Sequence, residues 1–243
     1  MLAGSQDEQR LCSYGLARIH CMAMEDVVGG NGVGRILRLA KLGHLIGNYP
    51  PDTLDHGFPF QDFAAVNQVV EDVHGARGAE GLCVRAGKAV FRHAVEDLAL
   101  SLVVSDPGFG PLPSAMRVEA GLASPSEAFM HLGDQVTYLV GDETRLVCVI
   151  SECPICAGRT SDAPICYGVT GMLQDALHWL RGSRNFSVVE MECTAKGDPS
   201  CRIVIGRGGR EPLHRGLKSL SSKRTTLLPH KGRGVEMGGA LPR

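Results

Sequence analysis

Apolar residues in the first half of the chain recur every three or four positions, a spacing typical of helices that bury one face. This pattern predicts amphipathic helices over residues 60–74, about 79–104 and 114–133. The glycine-rich run at 27–34 lacks the order of a nucleotide-binding loop. We interpret it as a turn that leads into a further helix over 36–45.

Beyond the third of these helices, the apolar period changes to the alternation that is typical of strands. Residues 136–140 and 145–150 alternate on either side of a Gly-Asp-Glu-Thr turn, which predicts a β-hairpin. An amphipathic helix is predicted over 168–181, and strands are predicted over 185–193 and 201–205. Helices followed by a ββαββ segment indicate an α+β fold.

Five of the nine cysteines lie within residues 153–201. The last two belong to the run Glu190-Met-Glu-Cys193-Thr-Ala-Lys-Gly-Asp-Pro-Ser-Cys201, in which a carboxylate precedes two thiols that a Gly-Asp-Pro turn brings together. Zinc accepts thiolate and carboxylate ligands in a tetrahedral arrangement. This spacing therefore indicates a closed, structural zinc site.

The remaining ligand would come from the cysteines upstream. Cys166 lies just before a predicted helix, whose N-terminal dipole favours a thiolate, and Cys153 and Cys156 are alternates. The Cys153-Pro-Ile-Cys156 pair has a second interpretation as a redox motif. Plain core thiols are the alternative for Cys193 and Cys201. The other four cysteines stand in apolar surroundings and are predicted to be buried hydrophobes: Cys12, Cys21, Cys83 and Cys148.

Composition is ordinary for a soluble globular chain, with 44% apolar and 21% charged residues. No apolar run reaches the ~20 residues that cross a bilayer. The first residues lack the basic and apolar pattern of a secretory signal. We therefore expect a cytoplasmic protein without a transmembrane segment, in which thiols stay reduced.

Charge is divided unevenly along the chain. Residues 207–243 carry nine Lys or Arg and two acids, a net charge of +7, which leaves −8 for the rest of a chain whose total is −1. The composition of this segment predicts a disordered tail, and an acidic body does not favour specific nucleic-acid binding. We expect an N-terminal extension over 1–24 and one domain over 25–206, whose zinc-bearing part is 135–206.

Four segments carry a family resemblance: Glu152-Cys-Pro-Ile-Cys156, Pro164-Ile-Cys166, Gly171-Met-Leu-Gln-Asp-Ala-Leu-His-Trp179 and the run Glu190–Cys201. Together they resemble the vinyl-4-reductase domain family. That family includes a bacteriochlorophyll biosynthesis protein once assigned as a 4-vinyl reductase. It also includes the sensory domains of phenol-responsive transcription activators.

The resemblance implies N-terminal helices packed on a four-stranded antiparallel sheet, the Bet3-like fold shared with haem nitric-oxide sensors. It also implies a homodimer and a small hydrophobic, aromatic or tetrapyrrole ligand. The zinc ligands that it implies are Cys166, Glu190, Cys193 and Cys201, with Cys153 and Cys156 as alternates for the upstream position.

Three functions are compatible with these features. The first is a binding module that acts as sensor, carrier or accessory protein. The second is an enzyme that reduces the 8-vinyl group of a chlorophyllide, although the sequence shows no dinucleotide, flavin or iron–sulfur pattern for the electron donor. The third is an interaction scaffold. For the binding module, possible cavity residues are Phe91, His93, Phe129, Met130 and His131, the two histidines being candidate axial ligands of a tetrapyrrole metal.

Overall fold

Two long helices and a pair of short strands precede a four-stranded antiparallel sheet. This order confirms the α+β fold that the sequence predicts. The computed structural model describes residues 9–97, 122, 132–141, 145–180 and 186–207. Most of the helix predicted over 114–133, and the tail beyond Arg207, lie outside the described residues. Within those residues, no helix combines the length and the apolar character needed to cross a bilayer.

The N-terminal segment belongs to the folded domain. Strand β1 (Leu11–Ser13) pairs antiparallel with β2 (His56–Pro59), and helix α1 (Tyr14–Leu39) begins directly after β1. The Ser13 hydroxyl accepts a hydrogen bond at 3.2 Å from a backbone N–H in the first turn and so caps the helix. Most side chains in the first half of α1 are buried. The expected domain start at residue 25 is therefore corrected to an earlier position, since strands this short show no period in the sequence.

Both long helices bend at a glycine. The backbone of α1 has φ 74° at Gly29, and that of α2 (Phe60–Asp97) has φ 69° at Gly75. Such left-handed values are costly for a residue with a Cβ atom and are accessible to glycine. The turn predicted over 27–34 is thus reduced to one residue, and the helices predicted on either side of Gly75 form one element. After α1, Gly43–Leu45 form a short 3₁₀ helix.

The sheet contains β3 (Val136–Gly141), β4 (Arg145–Ser151), β5 (Phe186–Glu192) and β6 (Cys201–Arg207). Helix α3 (Tyr167–Trp179) connects β4 to β5. The spatial order is β3-β4-β6-β5, and every neighbouring pair is antiparallel. The last strand therefore lies between β4 and β5. The predicted hairpin, helix and final two strands are confirmed.

Helices α2 and α3 cross at backbone contact. A Cβ atom at Gly87 would collide with the carbonyl oxygen of Gly168, and one at Gly171 would collide with the carbonyl oxygen of Val84. A side chain at either position would force the helices apart. This close approach holds the N-terminal end of α3, and the loop before it, against α2.

Replacing Gly171 with alanine is expected to lower the free energy of unfolding by about 1–3 kcal/mol, the usual cost of overpacking. Gly81→Ala in α2 is the matched control, because a Cβ atom there would meet only the end of the Arg85 side chain, at 3.7 Å. Removing this glycine from the helix interior should raise stability by about 0.5–1 kcal/mol. Urea unfolding measures both effects. A Gly171→Ala protein as stable as the unaltered chain would show that the crossing tolerates a side chain.

Candidate metal centre and adjoining cavity

Five cysteine sulfurs from three segments converge at one buried point. The sulfur of Cys156 lies 3.3 Å from that of Cys166 and 3.5 Å from that of Cys193. It also lies 3.6 Å from the Cys201 sulfur. The Cys166 sulfur is 3.5 Å from those of Cys153 and Cys201. The structure therefore brings together every cysteine of the segment 153–201, and all of them are buried.

The loop after β4 supplies Cys153 and Cys156. Glu152 adopts φ 57°, a left-handed value that is uncommon for a residue with a side chain. Its carboxylate pairs with the Arg10 guanidinium at 2.9 Å. The Cys156 N–H then donates to the Cys153 carbonyl at 3.1 Å, so that the two cysteines share one tight turn.

Arg159 fastens this loop to α2. Its guanidinium contacts the Glu71 carboxylate at 2.6 Å and donates to the Gln68 side-chain oxygen at 2.9 Å. It also donates to the Ile155 carbonyl at 3.3 Å. The Arg159 side chain is only 7% exposed, so removing one partner would leave a largely desolvated charge. The position of the loop is thus tied to α2.

The turn between β5 and β6 places Cys193 and Cys201. Residues Thr194–Lys196 form a 3₁₀ helix that Gly197 ends with φ 90°. The Asp198 carboxylate accepts the Cys193 N–H at 2.8 Å. The first N–H of the 3₁₀ helix donates to the Cys201 sulfur at 3.3 Å. Hydrogen bonds donated to a sulfur favour its thiolate form.

Glu190 on β5 reaches the N-terminus of α3. Its Oε2 accepts the Cys166 N–H at 2.7 Å. Its Oε1 is buried and has no hydrogen-bond partner among the described residues. Leaving a buried polar atom unpaired costs about 1–3 kcal/mol, and more when the group is charged. The orphaned oxygen beside the thiols therefore fits the donor set of a divalent cation.

Two groups of four donor atoms are close enough to bind one tetrahedral ion. Within each group, all ligand atoms lie within 4.8 Å of one another. The first group is Cys166, Glu190, Cys193 and Cys201, and the second is Cys153, Cys156, Cys166 and Cys201. The first is the set that the family resemblance implies. Because Cys166 and Cys201 belong to both groups, either arrangement requires them.

Crowding of the donors separates their pKa values. Hydrogen bonding with Cys153 is the largest effect that lowers the pKa of Cys201, to about 4. Hydrogen bonding with Cys156 similarly lowers the pKa of Cys193 to about 6. Burial, followed by the charge of Cys193, raises the pKa of Glu190 to about 8. Negative charge thus gathers on sulfur at neutral pH, and thiolate is the form that binds metals.

An apolar cavity of about 110 Å³ adjoins the cysteine cluster. Side chains from α1, α2, α3 and the sheet line it, and Phe63, Phe91 and Met172 are among them. Cys153 lines the cavity and also contacts the Cys166 sulfur at 3.5 Å. The cavity and the cluster therefore share a wall.

His20, in the first half of α1, lines the same cavity. Its ring stacks on Phe63, with centroids 4.2 Å apart and planes 24° apart. Nε2 is buried and has no hydrogen-bond partner within the described ranges. Burial lowers the pKa of His20 to about 4, so the ring is neutral at physiological pH. By contrast, the buried Asn67 side chain donates to the Phe63 carbonyl at 2.9 Å.

The residues proposed from sequence for the cavity divide into three cases. Phe91 lines the cavity, as predicted. The prediction for His93 is wrong, because its ring is not part of the lining and instead pairs with the Asp26 carboxylate at 2.9 Å. The other three lie outside the described residues: Phe129, Met130 and His131. His20 was missed because a lone histidine in a presumed extension gives no sequence signal.

Comparison with known proteins places a family match on this half of the chain. Residues 146–207 match the vinyl-4-reductase (4VR) domain, and this range includes all five cysteines of the cluster. No curated protein sequence is significantly similar to the chain.

Three solved structures are similar in fold. A mutant Fe(II) unliganded H-NOX protein from K. algicida has 11% identity and a TM-score of 0.55, covering 82% of this chain and 97% of that one. The Fe(II) unliganded H-NOX protein from K. algicida itself has 12% identity and a TM-score of 0.50, covering 83% and 98%. The phenol-responsive sensory domain of the transcription activator PoxR, with phenol, has 18% identity and a TM-score of 0.46, covering 60% and 72%.

The H-NOX likeness concerns the fold alone, because the identities are this low. It confirms the fold that the sequence predicts, with N-terminal helices packed on a four-stranded antiparallel sheet. The PoxR comparison has a TM-score too low to carry further weight.

The buried state of His20 predicts a loss of stability in acid. Its pKa is near 6.5 in the unfolded chain and about 4 in the folded one, so unfolding takes up a proton between these values. This contribution to stability is complete above about pH 6.5 and falls by on the order of 2 kcal/mol on reaching about pH 4.5. Urea unfolding at both pH values should show a smaller loss in His20→Leu. Equal losses in the two proteins would contradict the buried, neutral ring.

Proposed function

We propose that this chain, whose residues 146–207 match the vinyl-4-reductase domain, binds a small hydrophobic or aromatic molecule in a domain stabilised by zinc. The observation that carries the proposal is the apolar cavity, whose wall continues into the cysteine cluster through Cys153. Such a module would act as a sensor or carrier. A homodimer is part of the proposal, because the family resemblance implies one.

The size of the cavity favours a small ligand over a tetrapyrrole. Its volume is about 110 Å³. An engineered apolar cavity of about 150 Å³ in another protein binds benzene, whereas drug-sized ligands occupy about 300–1,000 Å³. A tetrapyrrole belongs to the larger class. The described lining also contains no Asp, Glu, Lys or Arg, which favours an uncharged ligand.

Zinc suits the donor set better than a harder cation does, because sulfur donors predominate. We assign the ion to Cys166, Glu190, Cys193 and Cys201. The orphaned Oε1 of Glu190 supports this set, since the ion would complete an otherwise unpaired buried carboxylate. Zinc would supply positive charge that joins β5, β6 and the N-terminus of α3. Cys153 and Cys156 would remain neighbouring thiols.

Substitution of the assigned ligands should remove the metal. Cys201→Ser and Glu190→Gln are each expected to lower the zinc content from one ion per chain to well below one. The free energy of unfolding should fall by about 3 kcal/mol or more, because a closed site loses a ligand. Metal analysis of the purified proteins, together with urea unfolding, measures both effects.

The controls separate the two donor groups. Cys153→Ser should keep one zinc, and Cys21→Ala removes a buried thiol outside the cluster and should also keep it. Zinc retained by Glu190→Gln but lost by Cys153→Ser would show that the second donor group binds the ion. No zinc in any of the proteins would contradict the metal assignment altogether.

Filling the cavity should abolish ligand binding. We expect benzene to bind the unaltered protein and to be excluded from Ala86→Leu, because the added carbons occupy most of the available space. Arg85→Leu introduces the same side chain at the exposed neighbouring position and should bind normally. Isothermal calorimetry should record a negative heat-capacity change, the signature of apolar burial.

The outcome that contradicts this function is equally direct. Benzene binding that is unchanged by Ala86→Leu would place the apolar site elsewhere. Absence of binding to the unaltered, zinc-containing protein would contradict the binding-module proposal itself.

A further inference from the structure

The cavity wall is apolar except for a few side chains, and these differ in how they are paired. The Asn67 amide donates to the Phe63 carbonyl at 2.9 Å, and its oxygen lies 3.8 Å from the Cys83 sulfur. Asn67 is therefore occupied by the protein itself. His20 lines the same wall, yet its buried Nε2 has no hydrogen-bond partner among the described residues.

The geometry around His20 holds the ring in place. Stacking on Phe63 at 4.2 Å between centroids restricts its tilt, and its position on α1 fixes its depth. A buried polar atom without a partner is costly in a folded protein, and such atoms concentrate at functional sites. An unpaired nitrogen on the wall of an apolar cavity is the arrangement expected where a ligand supplies the missing partner.

We propose that His20 Nε2 is the polar anchor of the cavity, and that the ligand is a neutral molecule with an apolar skeleton and one hydroxyl group. This inference rests on the proposed function, since it names the polar contact within the same cavity. A hydroxyl group suits the position because it can both donate and accept, and so pairs with either tautomer of a neutral imidazole. A charged ligand is disfavoured, because the described lining offers no ionic partner.

The test compares matched pairs of probes that differ by one hydroxyl: benzene with phenol, and cyclohexane with cyclohexanol. Dissociation constants for all four are measured on the zinc-containing protein and on His20→Leu, which keeps a similar volume without the nitrogen. The constant for the hydroxylated probe, relative to its hydrocarbon, should rise about tenfold in His20→Leu. The hydrocarbons should bind both proteins about equally.

Thr137→Val is the control, because it removes a different polar group from the same wall at nearly constant shape. The relative constants of the probe pairs should be unchanged in this variant. Metal content and urea unfolding of His20→Leu verify that the cavity is intact. A chemical-shift change of the imidazole Nε2 on adding phenol, but not benzene, would report the contact directly.

The possible results separate the two proposals. Hydrocarbons that bind, with a hydroxyl preference that His20→Leu leaves unchanged, would overturn the role of His20 while the binding module stands. A preference lost in Thr137→Val instead would transfer the anchor to that residue and also overturn the proposal. If no probe binds the unaltered protein, the proposed function fails as well.

Discussion

Five thiols and one carboxylate meet in the interior of this domain, and their electrostatic repulsion is the constraint on which the rest of the structure depends. The sulfurs of Cys156, Cys166 and Cys201 lie 3.3–3.6 Å from one another, close to van der Waals contact. In the absence of a cation, such a cluster can share only a little negative charge. A divalent ion removes this limit and converts the crowding into a junction between the last hairpin and α3.

The same junction connects to the cavity. The loop that supplies Cys153 is fastened to α2 through Arg159, and α2 crosses α3 at glycines that allow backbone contact. The cavity lies among these elements, and Cys153 belongs both to its wall and to the cluster. A change in the occupancy of the cavity would therefore act directly on the surroundings of the metal. This shared wall gives a physical route by which a ligand could alter the domain.

The sequence was most informative where spacing encodes chemistry. The period of two predicted the hairpin correctly, and the Glu-x2-Cys-x7-Cys spacing selected Glu190, Cys193 and Cys201, which the structure brings together. Strands β1 and β2 could not be predicted, because a strand of three or four residues has no measurable period. His20 was missed for a related reason: its importance comes from burial and from the lack of a partner, and neither is encoded by neighbouring residues. The kinks at Gly29 and Gly75 were visible only as breaks, since the sequence does not show that a helix resumes at once.

The central claim is that a zinc ion neutralises this buried group of donors. X-ray absorption at the zinc edge of the purified, unaltered protein tests it most directly, because it reports the elements that surround the metal. The account predicts one zinc per chain with three sulfur neighbours at about 2.3 Å and one oxygen at about 2.0 Å. A folded protein that contains no bound metal, with all five cluster thiols open to alkylation, would contradict it.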